Sequence, residues 1–184
     1  MKEIVRITSV LTLVCLICAL LLSVVYGLAN KKIEINKEKR IEKALTTLAP
    51  QAAKVEEATI KEETIYKLFD EKENLIGYGF TASGEGYQGK IKMLVVSDKY
   101  LEHLKGIEVV ESLETPGLGA KIQEDPFKDQ FKNLDIREEM TCVKGDTERD
   151  GQIKAITGAT VSSRAVVNIL SKRLEEIKEL INEN

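Results

Sequence analysis

From Ile7 to Leu28 the chain runs ITSVLTLVCLICALLLSVVYGL, 22 residues without a charge. No other feature restricts the fold as strongly, because a stretch this apolar cannot face water along its whole length. At about 1.5 Å rise per residue a helix of that length covers about 33 Å, enough for a hydrocarbon core of about 30 Å. Thr8, Ser9, Thr12 and Ser23 fit such a helix, since their hydroxyls can bond carbonyls one turn back, and Tyr26 suits the headgroup region. The rival is a cleaved signal peptide, with small residues for cleavage in Gly27-Leu28-Ala29. The apolar part of such a peptide usually spans about 7–15 residues, which favours a retained anchor. Lys2 and Arg6 precede the span, whereas Lys31, Lys32, Lys37, Lys39, Arg40 and Lys43 follow it. Taken alone, that count holds the body in the cytoplasm, although long domains cross regardless of flanking charge. Cys15 and Cys18 form a C-x-x-C inside the span. Two thiols fall short of the four ligands of an iron–sulfur cluster, and cysteine serves equally as a small apolar residue.

The rest of the chain has room for one ordinary domain. A formal net charge of -3 argues against nucleic acid as a partner, which needs a clustered basic surface. His103 is the only histidine and Cys142 the only cysteine outside the span, so a histidine pair and an internal disulfide are both excluded. Neither residue has a visible partner for nucleophilic catalysis. No catalytic or metal-ligating set is expected.

Hydrophobic spacing predicts an α+β fold, with a small, mostly antiparallel sheet and flanking helices after the single N-terminal membrane helix. Ile33, Ile41, Ala44, Leu45 and Leu48 suit a basic, partly amphipathic helix that stops before Pro50, and Gln51 to Thr59 suits a polar connector. Thr64–Phe69 and Leu75–Thr81 read as a hairpin around Asp70–Asn74. A glycine-rich bend at Ser83–Gly89 leads to strands at Lys90–Ser97 and Gly106–Leu113. Phe127 and Phe131 mark a short helix, and Ile153–Ile156 a last strand. Val166, Val167, Leu170, Leu174, Ile177 and Ile181 fall on one face of a helix from Val161 to Ile181.

Directly before that helix stands Ile156-Thr157-Gly158-Ala159-Thr160-Val161-Ser162-Ser163. Unpaired first-turn N–H groups and the positive end of the helix dipole make such a place a natural anion site. Gly158 lets the backbone come close to a ligand. The same hydroxyls are equally suited to capping the helix, worth about 1 kcal/mol. The lysine and spacing of a P-loop are missing.

Thr157-Gly158-Ala159-Thr160 followed by Val161-Ser162-Ser163 closely resembles the flavin-attachment motif of the FMN-binding domain family. That family includes the G subunit of the Rnf electron-transport complex and the C subunit of the sodium-translocating NADH:quinone reductase. Glu114-Thr115-Pro116-Gly117-Leu118-Gly119 resembles the family's second signature loop, beside the flavin, and Gly86-Tyr87-x-Gly89-x-Ile91 is also typical. The span, the basic helix and the length resemble the Rnf G subunit, so the likeness covers nearly the whole chain. It implies an electron-transfer subunit of a complex coupling ferredoxin and NAD chemistry to ion translocation. By the same resemblance FMN is esterified through its phosphate to Thr160, by a flavin transferase that uses FAD. The partners implied are the other membrane and peripheral subunits of that complex. The expected parts are a cytoplasmic N-terminus (1–6), the transmembrane helix (7–28), a juxtamembrane helix and connector (29–58) and an FMN-binding domain (59–184). The resemblance also implies a single-pass protein of the cell membrane with its flavin domain outside the cytoplasm, against the charge count. Many family members carry an acidic residue where this chain has Lys154. Two other readings stay open: the flavin subunit of a related quinone reductase, and a membrane-tethered binding module without cofactor.

Overall fold

The computed structural model describes residues 1–60 and 63–182. Its contacts divide the chain into two compact units, Met1–Arg40 and Ile41–Asn184. Helix α1 runs unbroken from Lys2 to Leu48, so the expected span and the expected basic helix are one element. Its part from Lys2 to Gly27, with a mean hydropathy of 2.7, is long and apolar enough to cross a membrane. Thr8 and Thr12 donate their hydroxyls to the carbonyls of Ile4 and Thr8, each at 2.9 Å, which removes the polarity an apolar surrounding would penalise.

In the second unit a five-stranded antiparallel sheet has the order β1-β2-β3-β4-β5. The strands are β1 (Lys54–Ile60), β2 (Glu63–Phe69), β3 (Leu75–Glu85), β4 (Lys90–Asp98) and β5 (Leu104–Ser112). Sequential antiparallel neighbours need only short turns. The β2–β3 turn is held by Asp70, whose Oδ1 accepts from the N–H groups of Lys72 and Asn74, both at 2.8 Å. The unit also holds the short elements α2 (Asp125–Lys128), β6 (Thr141–Val143) and β7 (Gln152–Lys154), two 3-10 turns at Gly119–Gln123 and Asp129–Phe131, and the long α3 (Thr160–Asn182). β6 and β7 form a separate parallel pair.

Both faces of the sheet are covered, which explains why β4 is buried almost throughout rather than alternating. Met93 and Val95 face a main core with Phe80, Ile107 and the α3 residues Val166, Val167, Leu170, Leu174 and Ile177. Leu94 and Val96 face a second core with Leu68, Val110 and the last turns of α1, through Ala44 and Leu45. Phe127 and Phe131 pack edge to face at 5.5 Å between ring centres, closing the main core beside β5. Arg173 ties α3 to the sheet: its Nε donates to Thr81 O at 3.0 Å and Nη2 to Glu63 Oε2 at 2.6 Å.

Two expectations need correction. Most of the stretch expected to be a polar connector is strand β1, paired with β2 from Lys54 to Ile60. Its side chains are largely exposed, so it carries no burial alternation for the sequence to display. The bend expected at Ser83–Gly89 starts later, because β3 continues to Glu85.

Candidate functional site

Two tight turns meet at the start of α3. In the first, Thr115-Pro116-Gly117-Leu118, Leu118 N–H bonds Thr115 O at 3.2 Å and Gly117 has φ +76°. In the second, Ile156-Thr157-Gly158-Ala159, Ala159 N–H bonds Ile156 O at 2.9 Å and Gly158 has φ +81°. A left-handed third residue closing a four-residue bond defines a type II turn, which explains glycine at both places. Leu118 lies against Gly158, its Cδ2 3.4 Å from where a Cβ would stand.

The first helical bond of α3 runs from Ser163 N–H to Ala159 O, so Ala159 is the N-cap and Thr160 the first helical residue. Alanine has no side-chain acceptor. The N–H groups of Thr160, Val161 and Ser162, which precede that first bond, therefore lack the usual cap. Capping, the ordinary use of a hydroxyl here, is not what Thr160 does.

The hydroxyls divide sharply by environment. Ser163 is fully buried; its Oγ accepts from Ile156 N–H at 3.0 Å and donates to Ala159 O at 3.0 Å. Ser162 is buried and donates to Glu114 Oε2 at 2.6 Å. Thr157 stands exposed in its turn, and Thr160 is half-buried. Among the described residues neither threonine hydroxyl has a hydrogen-bond partner. Ser163→Ala would strip Ile156 N–H of its acceptor, a loss of about 1–3 kcal/mol that thermal melting would register.

Glu114 is only 5% exposed. Its Oε1 accepts from the N–H groups of Tyr87 and Gln88 at 2.7 and 3.0 Å, and its Oε2 from Ser162. A carboxylate this deep needs such donors to remain charged. Gly86 and Gly119 leave room for it, since a Cβ on either would overlap a Glu114 oxygen. Burial works to raise this carboxyl, and the hydrogen bonds from Ser162 and the Gln88, Tyr87 and Gly89 backbone outweigh it, leaving it below its ordinary value. With the folded value below the unfolded one, this stabilisation is complete above about pH 4.3 and is lost as pH falls through the folded value. Melting temperatures should therefore fall more steeply in acid for the wild type than for Glu114→Gln.

Between these parts lies a cleft of about 300 Å³, lined by Tyr87, Glu114, Thr115, Leu118, Gly119, Gly158, Ala159, Thr160, Val161 and Ser162. Its rim is apolar and open to solvent: Tyr87 is 69% exposed, Val161 56% and Leu118 49%, and Leu113 at 66% packs on Gly89 nearby. Such a gathering of wet apolar side chains marks a binding surface. The two sequence motifs thus meet in one place, 38 residues apart at Leu118 and Ile156 by number. Pro116 and Gly117 shape their turn without lining the cleft, while Thr157 and Ser163 stand outside it. Tyr87 is the lining residue that the two motifs do not contain; its signal was the Gly86–Gly89 bend.

Residues 86–175 match the FMN-binding domain family. The G subunit of the ion-translocating oxidoreductase complex of Haemophilus influenzae is 31% identical over 181 residues, covering 89% of this chain and 87% of that one. The chain belongs to this G-subunit family and carries its FMN-binding domain. Another such relative, the G subunit of the proton-translocating ferredoxin:NAD(+) oxidoreductase complex of Clostridium ljungdahlii, is 29% identical over 184 residues, 96% of this chain and 92% of that one. Shewanella oneidensis NqrC, a solved structure, shares the fold with a TM-score of 0.56 at 22% identity, covering 66% of this chain and 65% of that chain.

Every residue lining the cleft falls within the FMN-binding domain match, residues 86–175. Three other residues singled out in the sequence, Lys154, His103 and Cys142, do not line the cleft. Lys154 is exposed, its Nζ 2.6 Å from Asp146 and its backbone held by Gln130. His103 pairs with Asp98 at 3.3 Å. Burial raises the Cys142 thiol, with Arg164 opposing, which makes it a poor nucleophile.

Proposed function

We propose that this chain is the electron-transfer subunit of a membrane-bound, ion-translocating oxidoreductase complex, with FMN joined through its phosphate to Oγ1 of Thr160. The observation that carries this reading is the uncapped mouth of α3, where Ala159 is the N-cap and the Thr160 hydroxyl is unpartnered beside an apolar-rimmed cleft. The residues fit the group. Free first-turn N–H groups and the helix dipole favour a phosphodiester by about 0.3–1 kcal/mol or more. Tyr87, Leu118 and Val161 offer apolar surface for a flat ring system. A flavin held there would supply one- and two-electron transfer, while the protein holds it and sets its surroundings.

Attachment needs a flavin dinucleotide and a transferase. Thr160 Oγ1 forms a bond to the flavin-bearing phosphorus of FAD, the bond to the AMP phosphate breaks, AMP leaves, and the hydroxyl proton passes to a base of the transferase. The chain's own residues supply only the acceptor and its cradle.

Membership in the G-subunit family, together with the names of its relatives, supports other subunits of such a complex as partners and ferredoxin and NAD as the distant redox couples. The apolar part of α1 would anchor the chain in the cell membrane, with the flavin domain on the extracytoplasmic side. For the side, the exposed Tyr100 is a suitable reporter position. In a chain with Cys142→Ser, a Tyr100→Cys thiol should react with a membrane-impermeant reagent in intact cells; labelling only after lysis would place the domain inside.

The central test is direct. Protein made together with a flavin transferase should run as a fluorescent band on a denaturing gel and gain the mass of FMN less water. A dark band of unmodified mass under those conditions would remove the covalent reading.

A further inference from the structure

One side chain ties together three walls of the cleft. Glu114 belongs to the loop that follows β5, its Oε1 holds the Tyr87 and Gln88 N–H groups of the bend before β4, and its Oε2 holds Ser162 in the first turn of α3. These partners lie 26, 27 and 48 residues away in the chain, so no local propensity brings them together. Ser112 Oγ accepts from Glu114 N–H at 3.2 Å, fixing the start of the loop as well. The bend carries Tyr87 and the helical turn carries Thr160 and Val161, and all three line the cleft.

We propose that Glu114 is a positioning residue that selects Thr160 as the acceptor hydroxyl, an inference that rests on the attachment reading above. It acts in two ways. By taking the Ser162 proton into a buried hydrogen bond, it withholds the neighbouring hydroxyl from reaction. By fixing the first turn of α3 against two loops, it holds Thr160 in the lining of the cleft, together with Tyr87 and Leu118. Ser163 is withheld independently by its bonds to Ile156 and Ala159, and Thr157 sits outside the cleft, so the selection falls on Thr160.

The test measures the initial rate of FMN incorporation by a purified flavin transferase with FAD, and maps the modified residue by peptide mass spectrometry. The full-length chain in detergent is used, with melting followed by circular dichroism. Wild type should be modified at Thr160; a wild type that takes up no flavin defeats the attachment reading itself and is thereby told apart from failure of this inference. With wild type modified, Glu114→Ala should remain folded and lose at least about tenfold in rate, or spread label onto Ser162. Glu114→Gln should recover most of the rate, because its carbonyl can accept from the two N–H groups and its amide can donate to Ser162 Oγ, which keeps the first turn of α3 in place. Recovery by glutamine separates positioning from a general loss of stability, since both variants lack the charge.

A folded Glu114→Ala protein modified at the wild-type rate and only at Thr160 overturns the proposal, as does a folded Glu114→Gln no better than alanine. Should Glu114→Ala fail to fold, Ser162→Ala decides, since it removes one bond of the clamp. A several-fold slower rate in a folded Ser162→Ala supports the proposal, and an unchanged rate overturns it.

Discussion

Thr160→Ala should yield a folded, membrane-bound protein with no covalent flavin at all. The hydroxyl makes no hydrogen bond among the described residues, so its removal costs the fold little. The exchange of threonine for alanine in the first turn changes helix propensity by only about 0.5 kcal/mol, and in the favourable direction. Fluorescence on a denaturing gel should vanish completely, with a melting temperature like that of unmodified wild type. Thr157→Ala, in the exposed turn just before, should keep the fluorescence. If Thr160→Ala still carried a covalent flavin, the acceptor would be another hydroxyl, and peptide mapping would name it.

Leu170→Ala should have the opposite signature. Leu170 is completely buried between α3 and the sheet, so truncation leaves a cavity costing about 2–5 kcal/mol. For a protein of this size each kcal/mol corresponds to about 2–4 °C, which gives a fall of about 10 °C in melting temperature. Flavin attachment measured well below that temperature should persist, because the residue lies nearly three turns beyond Thr160. The pair of variants thus separates the chemistry at the helix mouth from the packing that holds the helix. A Leu170→Ala protein with an unchanged melting temperature would contradict the packing of α3 on the sheet.

Much of this architecture was legible because its physics is local. The α3 face from Val166 to Ile177 was visible as a helical stripe, and all of it is buried. Thr115-Pro116-Gly117-Leu118 reads as a turn from proline and glycine alone. What stayed hidden had no local signal. β1 is an edge strand with Lys54, Glu56 and Glu57 exposed, held by its ladder with β2 rather than by burial. Charges on an edge are also a protection against unwanted pairing, so the composition that discourages a strand assignment is itself part of how an edge strand survives. β6 is three residues long and owes its existence to a parallel partner, β7.

The sequence by itself determined the apolar N-terminal helix, the α+β class and the helix mouth suited to a phosphate. Each follows from length, spacing or turn chemistry within a few residues, which the chain carries wherever it folds. Only the tertiary structure decided which hydroxyl at that place is both free and in the lining of the cleft. Ser162 is engaged by a carboxylate 48 residues away and Ser163 by the turn it closes, while Thr160 is left without a partner beside the cleft. A hydroxyl's availability depends on what its neighbours in space accept and donate, and those neighbours are set by the fold.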